Sequence, residues 1–395
     1  MTFLSAYFLI VILMPYMIRY FRRKGITSDF VEVTTGQQPY SGPKPIMGGG
    51  LLVAAILFSL SLWAFWNQFV IALAAITIAF AGIGAFDDIA KIRHRRRIES
   101  GKEDKKSYAD KADGISGKFR LFMEIAVATA VVVGLYWFID IDGHLVVPFI
   151  PLKWWYPYLP RYIFIPFMVL IIVAGANALN LTDGMDSLAT GPILTCTLFV
   201  AAVAYVGSDP EFASRLRVPL LSADLKELVI VSAAVLAAGL AFLRFNAPPA
   251  MITMGDLGAL SLGSLFSTMF ILAKVELFLP IVGGLLVLTT LSTIIQRTFF
   301  KYMLHTRGRE QAERVRFFYR APYHHHLQSL WAYSETPKKV VSAWVEIQKR
   351  IGIRPPGPED QLMRNEDVNS RVVWRLHMFS IWMFVLALLI YFKVR

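Results

Sequence analysis

Four groups of residues in this sequence carry side chains that can do chemistry. Asp87 and Asp88 are adjacent in IGAFDDIAKIRHRRR, where an apolar run gives way to a basic block. Asn177, Asn180, Asp183 and Asp186 recur at intervals of three in NALNLTDGMD, Asn246 and Asp256 lie in RFNAPPAMITMGDLG, and His324, His325 and His326 are consecutive in RAPYHHH. Two neighbouring carboxylates raise each other's pKa unless a cation or basic groups offset them. The pair therefore points to a Mg²⁺ site or a proton-accepting base. An aspartate at a helix end can equally cap the next helix or hold a lysine, and Asp256, which precedes a long apolar stretch, has the same alternative. A spacing of three drifts around an α-helix, so the Asn/Asp series cannot share one tight face. A helix end followed by a loop that presents the later groups to a ligand fits it better. Consecutive histidines cannot all point one way, and no closely spaced Cys or Glu accompanies them, which disfavours zinc. Imidazoles that bind a phosphate or a sugar fit them better. No GxxxxGK[ST] or dinucleotide fingerprint is present. Oxygen ligands for a hard cation, with basic groups for phosphate, point to phosphoryl transfer.

The elements that must position these groups are membrane spans. The chain has 395 residues, 56% of them hydrophobic, more than a soluble domain of this length carries. Runs of about 20 apolar residues mark a span. Ten candidates follow: 3–20, 48–67, 69–86, 121–140, 161–178, 190–207, 227–244, 257–274, 278–296 and 374–393. The expected fold is thus an all-α polytopic membrane protein, a single domain over 1–395, with 327–373 as an extended cytoplasmic segment before the last span. The first apolar run precedes its basic residues, the reverse of a secretory signal, so it reads as a retained span with its N-terminus outside. On that topology 32 of the 40 Lys and Arg fall on the cytoplasmic side, which predicts both termini periplasmic in a bacterial inner membrane. The net charge of +12 then reflects orientation and anionic headgroups, not nucleic acid. All four polar groups fall on the cytoplasmic side as well, which predicts one cleft there. The basic run at 93–97 with Lys102, Lys105, Lys106 and Lys111 reads as topological; Lys118 and Arg120, at the entry to the fourth span, are placed to hold a phosphate. The single cysteine, Cys196, allows no internal disulfide and reads as a small hydrophobe.

NALNLTDGMDSLA, FNAPPAMITMGDLGAL, GAFDD, PIMGG and APYHHH occur in the order, and at the span ends, of the bacterial phospho-MurNAc-pentapeptide transferases, which the chain resembles over about residues 1–326 and the last span. The resemblance implies a ten-span, Mg²⁺-dependent member of the polyprenyl-phosphate N-acetylhexosamine-1-phosphate transferase superfamily. Such enzymes move phospho-MurNAc-pentapeptide from UDP onto undecaprenyl phosphate, giving lipid I and UMP, and the resemblance leaves room for a homodimer. It places Asp87, Asp88 and Asp256 in the catalytic centre, with Asp256 the metal ligand and Asp87 the base toward the lipid phosphate. Asn177, Asn180, Asp183, Asp186 and Asn246 match the nucleotide site, and His324, His325 and His326 the triplet beside the diphosphate and sugar.

The sequence departs from that pattern in places. SGPKPIMGG puts Ser41 where the family has a lysine and Ile46 where it has a threonine, with Lys44 as a shifted source of charge; Thr253 stands where Phe is common, and Ser187 where Gly is usual. The segment 327–373 is longer than the family's link to the last span. A sister transferase using UDP-GlcNAc is the close alternative, which the triple histidine disfavours. A transporter would place its acids at the bilayer midplane, whereas these lie at span ends.

Overall fold

The structure, a computed structural model, describes residues 1–27, 44–99, 114–139, 143–151, 154–331, 341–351 and 365–393. Ser41, Lys102, Lys105, Lys106 and Lys111 lie outside the described residues, as does part of 327–373.

Helix α1 (Thr2–Arg23) shows how this composition folds. Ala6, Ile10, Met14 and Ile18, four apart, are buried, while Leu4, Phe8, Ile12 and Tyr16 stand at least half exposed on other faces. A helix apolar all round, with part of that surface uncovered by protein, is one that meets lipid. Helix α2 (Gly49–Trp63) is followed by a short turn that ends at Asn67, whose Oδ1 accepts the N–H groups of Phe69 and Val70 at 3.1 and 3.0 Å and so starts α3 (Gln68–Glu99). Then come α4 (Gly117–Ile139), α5 (Arg161–Thr182), α6 (Thr190–Gly207), the short α7 (Pro210–Leu216), α8 (Glu227–Asn246) and α9 (Gly255–Leu272). After these follow α10 (Leu279–Val282) and α11 (Gly284–Arg314), α12 (Tyr323–Trp331), α13 (Ala343–Arg350) and α14 (Asn365–Lys393).

Among the described residues eight helices are long and apolar enough to cross a membrane; the segment Glu276–Val282 with α11, bent by 79°, makes a ninth where the pair is counted as one span. The remaining expected span, 48–67, is only the 15-residue α2. At 1.5 Å per residue that is about 22 Å, short of a hydrocarbon core of about 30 Å. Its apolar run continues, but Ala64 turns extended and leads into the Asn67 cap. The fold is otherwise the expected helical bundle. The described strands are two residues long: β1 (Val315–Arg316) pairs in parallel with β2 (Val341–Ser342), Val315 opposite Val341, and ties the extra segment to the end of α11. Within that segment Ser342 Oγ accepts the N–H of Val345 and caps α13.

Helix α9 is the centre of the bundle, with nearly every residue buried. Three of its hydroxyls turn inward on their own helix: Ser261, Ser264 and Thr268 donate to the carbonyls of Leu257, Ser261 and Ser264. These three are thereby satisfied where water is excluded. Small residues also let neighbours come close. A β-carbon on Gly84 of α3 would lie 2.4 Å from the carbonyl oxygen of Asp256, so only glycine permits this approach. That contact brings the acidic part of α3 against the first turn of α9.

Candidate active site

The aspartate pair does not end its helix. Hydropathy falls after Phe86, but α3 runs on through the basic block to Glu99, because helical backbone bonding needs no apolar side chains. Successive residues on a helix point about 100° apart, so the two carboxylates serve different partners. Asp88, buried, accepts the N–H groups of Asp256 at 3.2 Å and Leu257 at 3.0 Å. It therefore caps α9 from a neighbouring helix, where the helix dipole favours a negative charge. Gly255 starts that helix at φ +78°, and a β-carbon there would press on Asp88 Oδ2 at 2.9 Å. Asp87, equally buried, accepts the N–H of Ile115 at 2.9 Å and faces the ammonium of Lys91, 2.8 Å from its Oδ2.

Lys91 is shared. Its Nζ also lies 3.0 Å from Asp256 Oδ2, so one ammonium joins the α3 and α9 carboxylates. Arg120 of α4 makes the same bridge from the other side, its Nη1 standing 3.0 Å from Asp256 Oδ2 and 3.5 Å from Asp87 Oδ2. Arg120 Nη2 donates to Asn177 Oδ1 of α5 at 3.4 Å. The outcome is a buried cluster from α3, α4, α5 and α9: two carboxylates bracketed by two cations, with an amide beside them. Sequence reasoning gave Lys91 no role. Its signal was the four-residue spacing from Asp87, which puts both on one helix face. Glu124, one turn past Arg120, escaped notice altogether, although a carboxylate within an apolar span is itself a signal. Lys118 is exposed and has no described contact with the cluster, since two residues of helix turn it away from Arg120.

The Asn/Asp series ends α5 and forms the loop into α6. Asp183 Oδ2 accepts the N–H of Gly255 at 3.2 Å, a second carboxylate on the start of α9. Burial, with Asp256, Asp88 and Asp186 nearby, holds the Asp183 carboxyl well above the usual range. Asp186 accepts the N–H of Ala250 at 3.0 Å and binds Lys44, whose Nζ lies 2.7 and 2.9 Å from its two oxygens. Lys44 thus supplies charge to the loop, as its shifted position suggested. Asn246 is a brace: it accepts the N–H of Ser187 and donates to the carbonyl of Ile252, both at 2.8 Å. Ser187 adopts φ +62°, a left-handed conformation that favours glycine. Its carbonyl faces His377 Nε2 of α14 at 3.1 Å, so the residue is held from both ends. Asn180 is half-buried one turn before this loop. Thr253 bonds through its backbone N–H to the carbonyl of Pro45, and Gly48 to that of Thr253, at 2.9 Å each. The stretch bearing Lys44 and Ile46 is thereby laid along the start of α9.

The histidines open α12. His324 is fully buried with both ring nitrogens unpartnered among the described residues, and it packs on Gly184 of the same loop. His325 Nδ1 pairs with Gln328 Oε1 at 2.6 Å, and His326 Nδ1 accepts the N–H of Tyr319 at 3.2 Å. Burial lowers all three, His324 furthest and His326 to about 4, so they are neutral imidazoles near pH 7. As neutral rings they offer a donor and an acceptor each, suited to a sugar or a phosphate.

Among the described residues no three His, Cys, Asp or Glu side chains converge as a ready-made metal centre. The donor set nevertheless suits a hard cation. Asp256 and Asp87 present carboxylate oxygens to one point, which the Lys91 ammonium shares.

The sequence pattern of glycosyl transferase family 4 matches residues 69–274, the stretch from α3 to just past α9. A phospho-N-acetylmuramoyl-pentapeptide-transferase of Desulfovibrio desulfuricans is 35% identical over 331 residues, covering 82% of this chain and 83% of the relative. Relatives of the same name from Syntrophus aciditrophicus and Aquifex aeolicus are 34% and 33% identical, each alignment covering 87% of both chains.

Proposed function

The chain belongs to glycosyl transferase family 4, among the phospho-N-acetylmuramoyl-pentapeptide-transferases, and on that premise we propose how its residues carry out the reaction. It transfers phospho-MurNAc-pentapeptide from its UDP carrier to undecaprenyl phosphate. An oxygen of the lipid phosphate bonds to the sugar-bearing phosphorus, the bond between the two phosphates of the nucleotide breaks, and UMP leaves with that electron pair. The observation that carries the reading is the pair of buried carboxylates, Asp87 and Asp256, bracketed by Lys91 and Arg120.

Asp256, with Asp87 beside it, would hold Mg²⁺, whose charge offsets that of the diphosphate. Arg120 and Lys91, partly exposed beside buried carboxylates, hold phosphate oxygens and so stabilise charge as it shifts to the leaving group. Asp87 faces the acceptor phosphate and takes its proton. Asp88 acts indirectly, by fixing the first turn of α9 and hence Asp256. The loop from Asp183 to Ser187, with Asn177, Asn180 and Asn246, receives the nucleotide, and His324, His325 and His326 the diphosphate and sugar. The charge asymmetry of the loops supports an inner-membrane protein with this cleft in the cytoplasm and both termini outside. A bilayer and the two substrates are the partners this reading requires; it needs no nucleic acid.

The test is UMP release by the purified protein from UDP-MurNAc-pentapeptide, with undecaprenyl phosphate and Mg²⁺. UDP-GlcNAc in its place should give no turnover. Turnover of UDP-GlcNAc alone would refute the substrate assignment, and full activity after chelation of Mg²⁺ would refute the metal.

A further inference from the structure

Granting Arg120 the phosphate-holding role proposed above, we propose that Glu124 is a positioning residue for it: Glu124 fixes Arg120 and Asn177 in the one arrangement that aims the guanidinium at Asp87 and Asp256. Glu124 is completely buried on α4. A carboxylate in an apolar helix is costly unless paired, and such residues mark function more often than structure. Oε2 accepts a short hydrogen bond from Asn177 Nδ2, while Oε1 makes an ion pair with Arg120, 3.4 Å from its Nε, without a hydrogen bond of its own. Asn177 Oδ1 in turn accepts from Arg120 Nη2 at 3.4 Å. Three side chains from two helices close a ring, and the edge of the guanidinium left over is Nη1, which faces both aspartates.

The charge on Glu124 favours one orientation of the Asn177 amide. A carboxylate can only accept, so it draws the NH₂ of Asn177 toward itself and leaves the amide oxygen facing Arg120. The second Asn177 bond, to the carbonyl of Val173 at 3.0 Å, agrees with the same orientation. A neutral amide at position 124 would allow Asn177 to flip and would set an N–H against Arg120. When an incoming phosphate takes Nη1, Glu124 and Asn177 keep Nε and Nη2, so the arginine does not have to be ordered again. A free arginine side chain would lose its rotamer entropy on holding a phosphate. Residues four apart on an exposed helix would gain little by pairing; the burial of Glu124 makes this pair different in kind.

A double-mutant cycle in the full chain tests the assignment, read as UMP release with saturating lipid acceptor. Glu124→Gln and Arg120→Lys each lower kcat roughly 10-fold or more, while KM for the nucleotide sugar stays within about threefold. The double variant is no slower than Arg120→Lys alone, because Glu124 acts through that arginine. Effects that multiply, or a Glu124→Gln enzyme within about twofold of wild type, overturn the proposal. Unfolding midpoints accompany each variant. If Glu124→Gln is unstable, Glu124→Asp decides: partial recovery of kcat supports positioning, and a wild-type midpoint with no recovery opposes it. Should wild type itself release no UMP, the transfer reading fails separately. The cycle is then read in the midpoints, where non-additivity supports the ring and additivity refutes it.

Discussion

Removing the Lys91 charge tests whether the basic block after the aspartates is wholly topological. In Lys91→Met the side chain keeps its length but loses contacts of 2.8 and 3.0 Å to Asp87 and Asp256. Coulomb's law at an effective dielectric of 20 gives roughly 6 kcal/mol for each contact. That overstates the loss, for the Lys91 side chain is 38% exposed and Arg120 still faces both carboxylates. Discounting for solvent and for the remaining cation leaves about 2 kcal/mol, or roughly 30-fold in kcat/KM. The assay is steady-state UMP release, with Arg93→Met as the control. Arg93 is exposed, half a turn further along the same helix and outside the cluster, and its loss should change the rate by less than about twofold. A Lys91→Met enzyme within about threefold of wild type would refute the shared-ammonium reasoning. So would an equal loss in Arg93→Met, because the effect would then belong to the basic block as a whole.

Asp87→Asn and Asp256→Asn should each lower kcat by about 100-fold or more, with expression and unfolding midpoint retained, since the amide keeps the shape but not the charge; near-normal turnover in either refutes that residue's role. His326 should make stability depend on pH. Its folded value is about 4, against about 6.5 unfolded, so between these values the unfolded chain binds the extra proton. Stability is then full above about pH 6.5 and declines toward pH 4, by on the order of 3 kcal/mol, and His326→Gln should flatten that part of the midpoint–pH curve. Ser187→Gly should stabilise the protein by about 1 kcal/mol, because glycine adopts φ +62° without strain; a lower midpoint would show that the Ser187 side chain contributes more than its backbone costs.

Much of the site was legible because each acid, amide and histidine stands out against an apolar background. In a membrane span a charge is expensive, so its presence alone marks Asp87, Asp88 and Asp256. Hydropathy located the spans equally well, apart from 278–296, which is bent by 79°, and α2, where a polar cap ended the helix before the apolar run did. Lys91 was hidden by its neighbours: among five Lys and Arg in nine residues, nothing in composition separates the one that turns inward. Glu124 was hidden by isolation, since its partners Arg120 and Asn177 lie on two different helices and only one of them is near it in sequence.

What the sequence by itself determined is the inventory: a helical membrane protein, its family, and a set of carboxylates, amides, cations and histidines at one side of the spans. The helical membrane class and the polar groups follow from residue type and hydrophobic run length, which are local properties, and the family from motifs that are equally local. The tertiary structure decided the division of labour. Adjacent residues on a helix diverge by about 100°, so packing alone sent Asp88 to the start of α9 and Asp87 to Lys91 and Arg120. It likewise turned Asn246 into a brace, left Lys118 outside, and closed a ring around Glu124. Which groups meet depends on how close two helices come and how each is rotated. Those quantities are set by contacts such as Gly84 against α9, between residues far apart in the chain.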